Sequence, residues 1–236
     1  MTAHIRITKR ERDLINRLVA HYRTNQALVE VTLKQLSDAI LGSTGLMAHV
    51  HSTKARIKDP DHLEDKLLRK LTEAKANNRK FTISEKNLLY RINDLAGFRI
   101  LHLHTEQITS IDRELRAVLD QYRLPLYEPP KARTWDDENR AFLERCGFKT
   151  VKSPTMYTSV HYVVESHSRT KTTCEIQVRT LAEELWGEVD HAINYPHECS
   201  VLSCREQIKV LARVTSSCSR LVDSIFRSYE NGINES

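Results

Sequence analysis

The sequence predicts an α+β fold in which a mixed β-sheet is flanked by helices, with a long helix at each end of the chain. Apolar residues recur at three- and four-residue steps in both terminal segments, which is the spacing of amphipathic helices. Three shorter segments, at 97–103, 156–165 and 172–178, carry apolar residues in strand-like patterns. Because helical stretches lie on either side of these strands in the sequence, we expect a layered domain with the sheet at its centre.

Length and charge set the domain organisation and the ligand class. The 236 residues suffice for one domain with helical extensions. We divide them into an N-terminal helical extension at 1–50, a core at 51–197, and a C-terminal helix at 198–236 that packs on the core or forms an oligomer contact. The net charge is +5 and the isoelectric point is near 8.9. This balance suits anionic ligands such as nucleotides, and it permits RNA as a partner.

The lack of a recognisable targeting signal and the cysteine usage predict a cytoplasmic protein. No apolar run approaches the roughly 18 residues of a membrane span, and the first residues lack the apolar region of a secretion signal. Five cysteines without a paired spacing indicate free thiols in a reducing compartment. His197, Cys199 and Cys204 lack the fourth ligand and the spacing of a zinc site, so we expect no zinc there.

The first half of the chain begins with helices. The N-terminal helix is predicted from Arg10 to Leu41, with a break near Asn25. The second helix begins after Asp59, since proline at the first helical position follows an aspartate that can cap it. A third helix is expected from Ser84 toward Asn93, and the first strand runs from Gly97 to Leu103.

The second half alternates helices and strands. A helix over 106–122 packs back on the first strand, and the charged, proline-containing segment 127–147 is predicted to be a surface excursion with a short helix after Asp136. The other two strands follow, and a helix over 181–193 ends at Tyr195-Pro196. A near-heptad seam on the last helix would cover the sheet or join subunits: Ile208, Leu211, Thr215, Cys218, Val222, Ile225 and Tyr229.

Polar side chains cluster where the predicted strands begin or end. The clusters are Asp94 with Arg99; Tyr157, Ser159 and His161; and Glu175, Gln177 and Arg179. Side chains two residues apart on a strand share a face, so the second and third clusters each form one polar face. A single acid could be a helix cap and a single acid–arginine pair could be a solvated ion pair. Two acids and several cations on one sheet instead predict the floor of a binding cleft.

Four segments resemble the synthetase domain of the RelA/SpoT family of alarmone synthetases. RINDLAGFRI, YTSVHYVVE and EIQVRTLAEELWGEVDH occur in the family's order, and the E-x-Q-x-R-T strand with its W-x-x-x-x-H helix is the most specific. The upstream block ARIKDPDHLEDKLLRK is similar to the family's ATP-side motif, with Arg56, Lys58 and Lys66 at matching positions. The resemblance spans about 54–195 and implies a nucleotidyltransferase-like sheet.

The resemblance also implies an activity and roles for individual residues. Members of the family are Mg²⁺-dependent and transfer the β,γ-pyrophosphate of ATP to the 3′-hydroxyl of GDP or GTP. By that likeness Asp94 would hold Mg²⁺, and Glu175 would help to hold it or accept the proton of the attacking hydroxyl. The ATP phosphates would lie among four cations: Arg56, Lys58, Lys66 and Arg99. Tyr157 would stack on guanine, and the remaining acceptor-side residues would be His161, Gln177, Arg179 and His191.

Elementary chemistry agrees with these implied roles. Phosphoryl-type transfer joins two polyanions, so most of the catalytic work is orientation and charge neutralisation. Magnesium takes one or two carboxylates together with substrate phosphates and waters. An aspartate and a glutamate from different segments, surrounded by lysine and arginine, supply that combination.

Departures from the family pattern leave the acceptor open. Met156 stands where the family usually has glycine, Thr158 where a basic residue is common, and His62 where serine is common. A toxin-like relative acting on adenine nucleotides or the tRNA 3′ end is therefore the first alternative, and a non-catalytic nucleotide- or RNA-binding module is the second. Retention of both acids weighs against the second. No His-Asp dipeptide occurs, so the chain is similar to a small stand-alone synthetase without a hydrolase module.

Overall fold

A six-stranded mixed sheet forms the centre of the computed structural model, which describes residues 6–195 and 198–234. Its strands are β1 (Ser52–Ile57), β2 (Ala96–His102), β3 (Leu126–Thr134), β4 (Lys149–Lys152), β5 (Ser159–Glu165) and β6 (Thr173–Thr180), in the spatial order β1-β2-β6-β5-β3-β4. The β2–β6 and β3–β4 pairs are parallel and the other pairs are antiparallel. The predicted α+β fold with a mixed sheet is confirmed.

Helices surround the sheet, as the sequence predicts. They are α1 (Lys9–Leu41), α2 (Thr44–Met47), α3 (Pro60–Ala76), α4 (Leu88–Arg91), α5 (Gln107–Gln121), α6 (Asp137–Arg145), α7 (Leu181–Asn194) and α8 (Leu202–Asn234). A short 3-10 helix, Asn93–Leu95, precedes β2. None of the helices among the described residues combines the length and apolarity that a membrane span needs.

One face of the sheet is apolar and packs against α1 and α5. Phe98 and Ile176 lie in neighbouring register on β2 and β6, and both are almost fully buried. The apolar positions of α1 cover them: Leu18, Leu33, Leu36 and Ile40. Burying each such side chain contributes roughly 1.5–3 kcal/mol, so this layer holds the sheet rigid beneath its polar face.

Helix α1 is continuous, so the predicted break near Asn25 is wrong. A capping box formed by Thr8 and Glu11 starts the helix. The Asn25 amide donates to the carbonyl of His21 at 2.8 Å, one turn earlier, and so stays within the helical pattern. The helix predicted from Ser84 to Asn93 is shorter than expected.

The reason for that shorter helix lies in Asn87. Its Oδ1 accepts the backbone N–H of Ser84 at 2.8 Å, and its amide donates to the carbonyl of Thr82 at 3.0 Å. These local bonds compete with the helical hydrogen bonds, leaving only the single turn α4. The chain then enters the 3-10 helix and β2, which places Asp94 at the helix-to-strand junction as predicted.

The segment 127–147 is not a surface excursion. It contains most of β3, which pairs with β5, and the short helix α6 that was predicted after Asp136. The register shifts between Glu128 and Lys131, so the two prolines between them fall at an irregularity where no regular ladder bond is lost. The predicted surface excursion is therefore wrong for the part of the segment that forms β3.

Two strands, β1 and β4, were missed because both lie at sheet edges. Their sequences, STKARI and KTVK, are mostly polar and show no apolar alternation. Charged edge strands are common because they discourage pairing with other chains. The start of β5 is also later than expected: it begins at Ser159, so Tyr157 lies in the preceding loop and not on the strand.

Helix α8 does not bury the predicted seam along its whole length. Ile208 and Thr215 are buried, whereas Cys218, Ile225 and Tyr229 are exposed. Over its central turns α8 faces the core with small polar residues, and Ser219 Oγ lies 3.0 Å from the hydroxyl of Thr180. All five cysteines are free, as expected.

Candidate active site

A cavity of about 400 Å³ lies on the polar face of the sheet, between α3 and α7. This volume is within the range of small-ligand sites. Of the predicted site residues, all except Glu175 line it: Arg56, Lys58, Lys66, Asp94, Arg99, Tyr157, His161, Gln177, Arg179 and His191. The sheet register explains the convergence, since Arg56 pairs with Gly97, Gly97 with Glu175, and Gln177 with both Arg99 and His161.

Asp94 lies between two lysines. Lys58 Nζ donates to its Oδ2 at 3.0 Å, and Lys66 Nζ lies 2.7 Å from its Oδ1. Burial alone would raise the pKa of Asp94, but the positive charges of Lys66 and Lys58 outweigh it and hold that pKa well below its usual range. The carboxylate is therefore ionised at neutral pH.

The turn from β1 to α3 positions these lysines. The backbone N–H of Lys58 donates to the carbonyl of Leu95 at 2.8 Å, and the carbonyl of Lys58 accepts the Tyr22 hydroxyl at 2.7 Å. Asp59 then caps α3 by accepting from the first backbone N–H groups of the helix. Helix α1 thus anchors the turn through Tyr22, and α3 presents Lys66 two turns later.

Glu175 is held by hydrogen bonds on both oxygens. His161 Nδ1 lies 2.9 Å from Oε1, and the Gln177 amide donates to Oε2 at 2.7 Å. Burial raises the pKa of Glu175, but the charge and hydrogen bond of His161 more than offset burial, so that pKa lies below its usual value. The other ring nitrogen of His161, Nε2, is buried and has no hydrogen-bond partner among the described residues.

The two carboxylates lie at the same end of the sheet. Asp94 precedes β2 by two residues, and Glu175 is on β6 opposite Gly97. The charge of Asp94 is one of the influences that raise the pKa of Glu175, so the two groups repel each other. Each carboxylate contacts two polar side chains, as a polar site requires.

This pair of carboxylates suits a magnesium ion. Asp94 is ionised, and each carboxylate oxygen has two lone pairs, so an oxygen that accepts one hydrogen bond can still bind a cation. In 6–195 and 198–234, no group of three or more histidine, cysteine, aspartate or glutamate side chains could hold a metal ion by itself. His197 lies outside the described residues. A metal at Asp94 and Glu175 would therefore need ligand oxygens from a bound phosphate.

The α3 side of the cavity is formed by β1 and α3, and both elements supply cations to it. Arg56 makes no ion pair within the described part of the chain and packs its side chain over Gly97. Arg69 also lines the cavity, one turn after Lys66 on the same helix face. Sequence reasoning missed Arg69, although its three-residue spacing from Lys66 could have indicated it.

Aromatic rings close the end of the α3 side. The rings of His191 and Tyr195 stack with centroids 4.5 Å apart, and His62 meets Tyr195 edge-on at 5.0 Å. Burial and the nearby charge of Arg56 lower the pKa of His191. His62, Tyr195 and Trp186 are further cavity-lining residues that the sequence did not single out.

The α7 side is formed by the first turns of α7 over β2 and β6, and there the cations are paired. Arg99 donates to Glu184 at 2.8 Å and also contacts Glu188, which accepts from Lys54 at 3.2 Å. Arg179 pairs with Glu184 as well. Glu184 and Glu188 are four residues apart and so share one face of α7. Neither residue was predicted from the sequence to belong to the site.

Arg179 lies beneath α7 with only 4% of its surface exposed. A Cβ atom at Gly187 would lie 2.6 Å from Arg179 Nη1, so glycine at this position lets the guanidinium keep its place. The guanidinium also lies over the ring of Tyr157, 5.5 Å from the centroid. Arg179 therefore joins β6, α7 and the Tyr157 loop.

Tyr157 belongs to a small apolar cluster under α7. Its ring lies 6.4 Å from that of Trp186 and 5.7 Å from that of His161. The Trp186 indole donates to the carbonyl of Ile208, which brings the start of α8 into the cluster. Burial raises the pKa of Tyr157.

Comparison with known proteins gives two kinds of match. The family described as "Region found in RelA / SpoT proteins" matches residues 55–200. The GTP pyrophosphokinase YwaC of Bacillus subtilis (strain 168) is 24% identical over 151 residues, which cover 62% of this chain and 59% of the relative. The match thus spans less than two thirds of that relative's length.

Solved structures with the same fold cover nearly the whole chain. Small alarmone synthetase 1 from Bacillus subtilis bound to its product pppGpp has a TM-score of 0.51 at 18% identity, covering 94% of this chain and 98% of that one. The protein smu.1046c from Streptococcus mutans UA159 has a TM-score of 0.51 at 14% identity, covering 93% and 96%. At these identities the likeness is one of fold.

Proposed function

Since this chain belongs to the RelA/SpoT family, we propose that it is an ATP:GDP/GTP 3′-pyrophosphotransferase that makes (p)ppGpp. One observation carries the proposal: an ionised Asp94 lies between Lys58 and Lys66 in a cavity whose other walls carry further cations. Such a site neutralises the charge of two nucleotide polyphosphates while keeping an anionic group for a metal ion. Binding alone would not require buried carboxylates among these cations.

The reaction transfers an intact pyrophosphate. The acceptor 3′-oxygen attacks the β-phosphorus of ATP, the bond from that phosphorus to the α–β bridging oxygen breaks, and AMP leaves. The hydroxyl proton goes to Glu175, or, if Glu175 instead helps to hold the metal, to solvent water. Orientation and electrostatic stabilisation supply most of the rate, because the reacting groups are themselves strongly charged.

Magnesium would be held by Asp94, with Glu175 as the second carboxylate. When bound, the ion would neutralise phosphate charge and align the two nucleotides. Lys58 and Lys66 lie on the two oxygens of Asp94, so both ammonium groups are within reach of phosphates that approach that carboxylate.

The α3 side would bind the donor. Arg56 and Arg69 would take the ATP phosphates together with the two lysines, and the stacked rings of His191 and Tyr195 offer a flat surface for the adenine. Stacking of this kind contributes about 1–3 kcal/mol per base.

The α7 side would bind the acceptor. Tyr157 is proposed to stack on guanine, and the unpartnered Nε2 of His161 would bond to an acceptor oxygen. Gln177 would support Glu175 through its amide, and Arg179 would hold Tyr157 in place. Arg99, already paired with Glu184, would contribute charge near the transferring group.

A transfer assay with several acceptors tests the proposal. Purified protein is mixed with γ-radiolabelled ATP, magnesium and either GDP, GTP, ATP or tRNA, and the products are separated by thin-layer chromatography. We expect label in a guanosine nucleotide with four or five phosphates. Label only in new adenine-nucleotide products or in tRNA would show that the acceptor is not a guanine nucleotide. Full transfer by Glu175→Gln would contradict the carboxylate mechanism.

A further inference from the structure

A second cavity, of about 520 Å³, lies next to the candidate active site. It is lined by the C-terminal half of α3, the loop to α4, α4 itself and the start of β3. Lys70 on its wall follows Lys66 by one helical turn, and Asn93 adjoins Asp94. We call it the tyrosine groove and define it by six residues: Lys70, Arg79, Lys80, Arg91, Tyr90 and Tyr127.

The groove is lined by more cations than acids. Its four cations form no ion pair with any carboxylate among the described residues, in contrast to Lys58, Lys66 and Arg99 nearby. Two acids, Glu73 and Glu128, also line it. However, each is paired from outside the groove, Glu73 with Arg69 at 4.0 Å and Glu128 with Lys131. The electrostatic field in the groove therefore favours an anion.

Lys70 is the cation of the groove that most clearly indicates an anionic ligand. Its side chain is half-buried, and no acceptor bonds its ammonium group within the described part of the chain. Burial lowers the pKa of Lys70, and the charge of Lys66 lowers it further. A bound anion would offset both effects, because an opposite charge stabilises the protonated form.

Aromatic rings form another wall of the groove. Tyr90 and Tyr127 lie with ring centroids 6.5 Å apart and planes tilted by 56°. Both are half-buried, and neither hydroxyl makes a hydrogen bond to another described residue. Exposed tyrosine faces next to cations are the combination that binds the base and the phosphates of a nucleotide.

We propose that the tyrosine groove is a second nucleotide site, which binds one nucleoside polyphosphate apart from the two substrates. The phosphates would lie among Lys70, Arg79 and Arg91, and the base against Tyr90 and Tyr127. A cavity of 520 Å³ has the size for one such ligand. Because the groove is built from residues outside the candidate active site, the inference does not depend on the transfer reaction.

Photolabelling with 8-azido-GTP tests the site directly. Trypsin releases Tyr90 in the peptide NLLYR (87–91) and Tyr127 in LPLYEPPK (124–131), whereas Tyr157 lies in a separate peptide, 153–169. We expect label in one or both of the first two peptides. The variant Lys70→Ala/Arg79→Ala should lower that label about tenfold or more, since two charge-assisted contacts are lost. Labelling of peptide 153–169 should stay unchanged.

Matched variants separate the possible outcomes. Arg17→Ala/Arg213→Ala removes two exposed arginines that do not line the groove, causes the same loss of charge, and should keep full labelling of 87–91 and 124–131. Asp94→Asn should abolish transfer and keep the groove label, so failure of the proposed function is distinguishable from failure of this site.

Three results would overturn the proposal. One is wild-type protein with no label in either groove peptide. Another is an equal fall in label at the groove peptides and at 153–169 in Lys70→Ala/Arg79→Ala, which would make the groove part of a single substrate site. The third is displacement of the label by a single-stranded uridine decamer at concentrations about a hundredfold below those of GTP, which would make the occupant an RNA strand.

Discussion

On the α3 side of the candidate site Arg56 has no ion-pair partner among the described residues, whereas on the α7 side Arg99 and Arg179 both pair with Glu184. The two sides therefore differ in how their arginines are held. An unpaired arginine can turn to a ligand at little cost, while a buried paired one leaves an uncompensated acid if it moves. Cations that line one cavity can thus bind a ligand on one side and hold helices and strands together on the other.

Asp94 lies on the α3 side but, like Arg99 and Arg179 on the α7 side, it is held by ion pairs. Its replacement should therefore have the largest effect on activity. Asp94→Asn is expected to lower kcat of pyrophosphate transfer by about a thousandfold or more, because it removes the anionic metal ligand. It should also lower Tm, since Lys58 and Lys66 would then face each other without a counter-charge. Steady-state assays with radiolabelled ATP and thermal melts measure both effects.

The control for that experiment is Asp61→Asn on the same helix as Lys66. Asp61 is exposed and forms a solvent-facing pair with Arg23 at 3.3 Å, so its loss should change neither kcat nor Tm noticeably. Equal transfer by Asp94→Asn and Asp61→Asn would remove Asp94 from the mechanism.

Glu183, in the first turn of α7, makes stability on the α7 side depend on pH. Burial raises the pKa of Glu183 to about 8, against the opposing effect of Arg179. The folded protein thus holds this proton more tightly than the unfolded chain, so this group's contribution to stability is full at low pH and is lost as the pH rises toward about 8. Wild type should lose roughly 4 kcal/mol of unfolding free energy between pH 5 and 9 from this group.

Glu183→Gln should flatten that dependence, and urea unfolding across the same pH range measures it. Glu184→Gln is a contrasting variant, because it breaks the ion pairs of Arg99 and Arg179 and should destabilise the protein throughout the range. If Glu183→Gln retained the wild-type slope, the buried carboxyl would not be its source.

Gly187→Ala tests whether the α7 side is held rigidly by Arg179. The added Cβ would lie 2.6 Å from the guanidinium, so we expect the guanidinium to shift from its present position over Tyr157. We expect kcat/KM for the acceptor to fall about thirtyfold, a cost near 2 kcal/mol, with little change in KM for ATP. Gly232→Ala is the control, because a Cβ there would meet nothing within 4 Å. Unchanged acceptor kinetics in Gly187→Ala would argue against the positioning role.

Arg56→Ala should have the smallest effect, confined to binding. We expect KM for ATP to rise about tenfold, as one charged contact is lost, while Tm stays the same. Lys54→Ala is the matched variant two residues away on the same strand face; it removes the pair with Glu188 and should leave KM for ATP unchanged. A lower Tm for Arg56→Ala would show that Arg56 is structural after all.

The sequence predicted the parts of the fold in which local pattern and burial agree. Helix α1 and strands β2 and β6 carry regular apolar faces that pack on one core, so periodicity identified them. Periodicity missed the edge strands β1 and β4, because their sequences are mostly polar and lack a regular apolar face. It misread 127–147 because proline and charge suggested a loop, whereas pairing with β5 made most of it a strand.

Part of the candidate site could also be predicted. Strand alternation grouped Glu175, Gln177 and Arg179, and the family resemblance added residues as distant as Arg56 and His191, which line the same cavity as Gln177 and Arg179. Arg69, Glu184 and Glu188 were missed, although helical spacing from recognised residues was available for each. The hydrogen bond from His161 to Glu175 could not be foreseen, since it depends on the antiparallel register of β5 and β6.

By itself the sequence determined which residue types are present and which of them share a strand or helix face, because those relations follow from periods of 2 and 3.6 residues. Only the tertiary structure decided which charges are paired. Arg99 and Glu184 are 85 residues apart, and Lys58 and Asp94 are 36 apart, so each pair forms only when separate elements pack. The same packing left Arg56 and the cations of the tyrosine groove without an ion-pair partner among residues 6–195 and 198–234, and such a charge is available to a ligand.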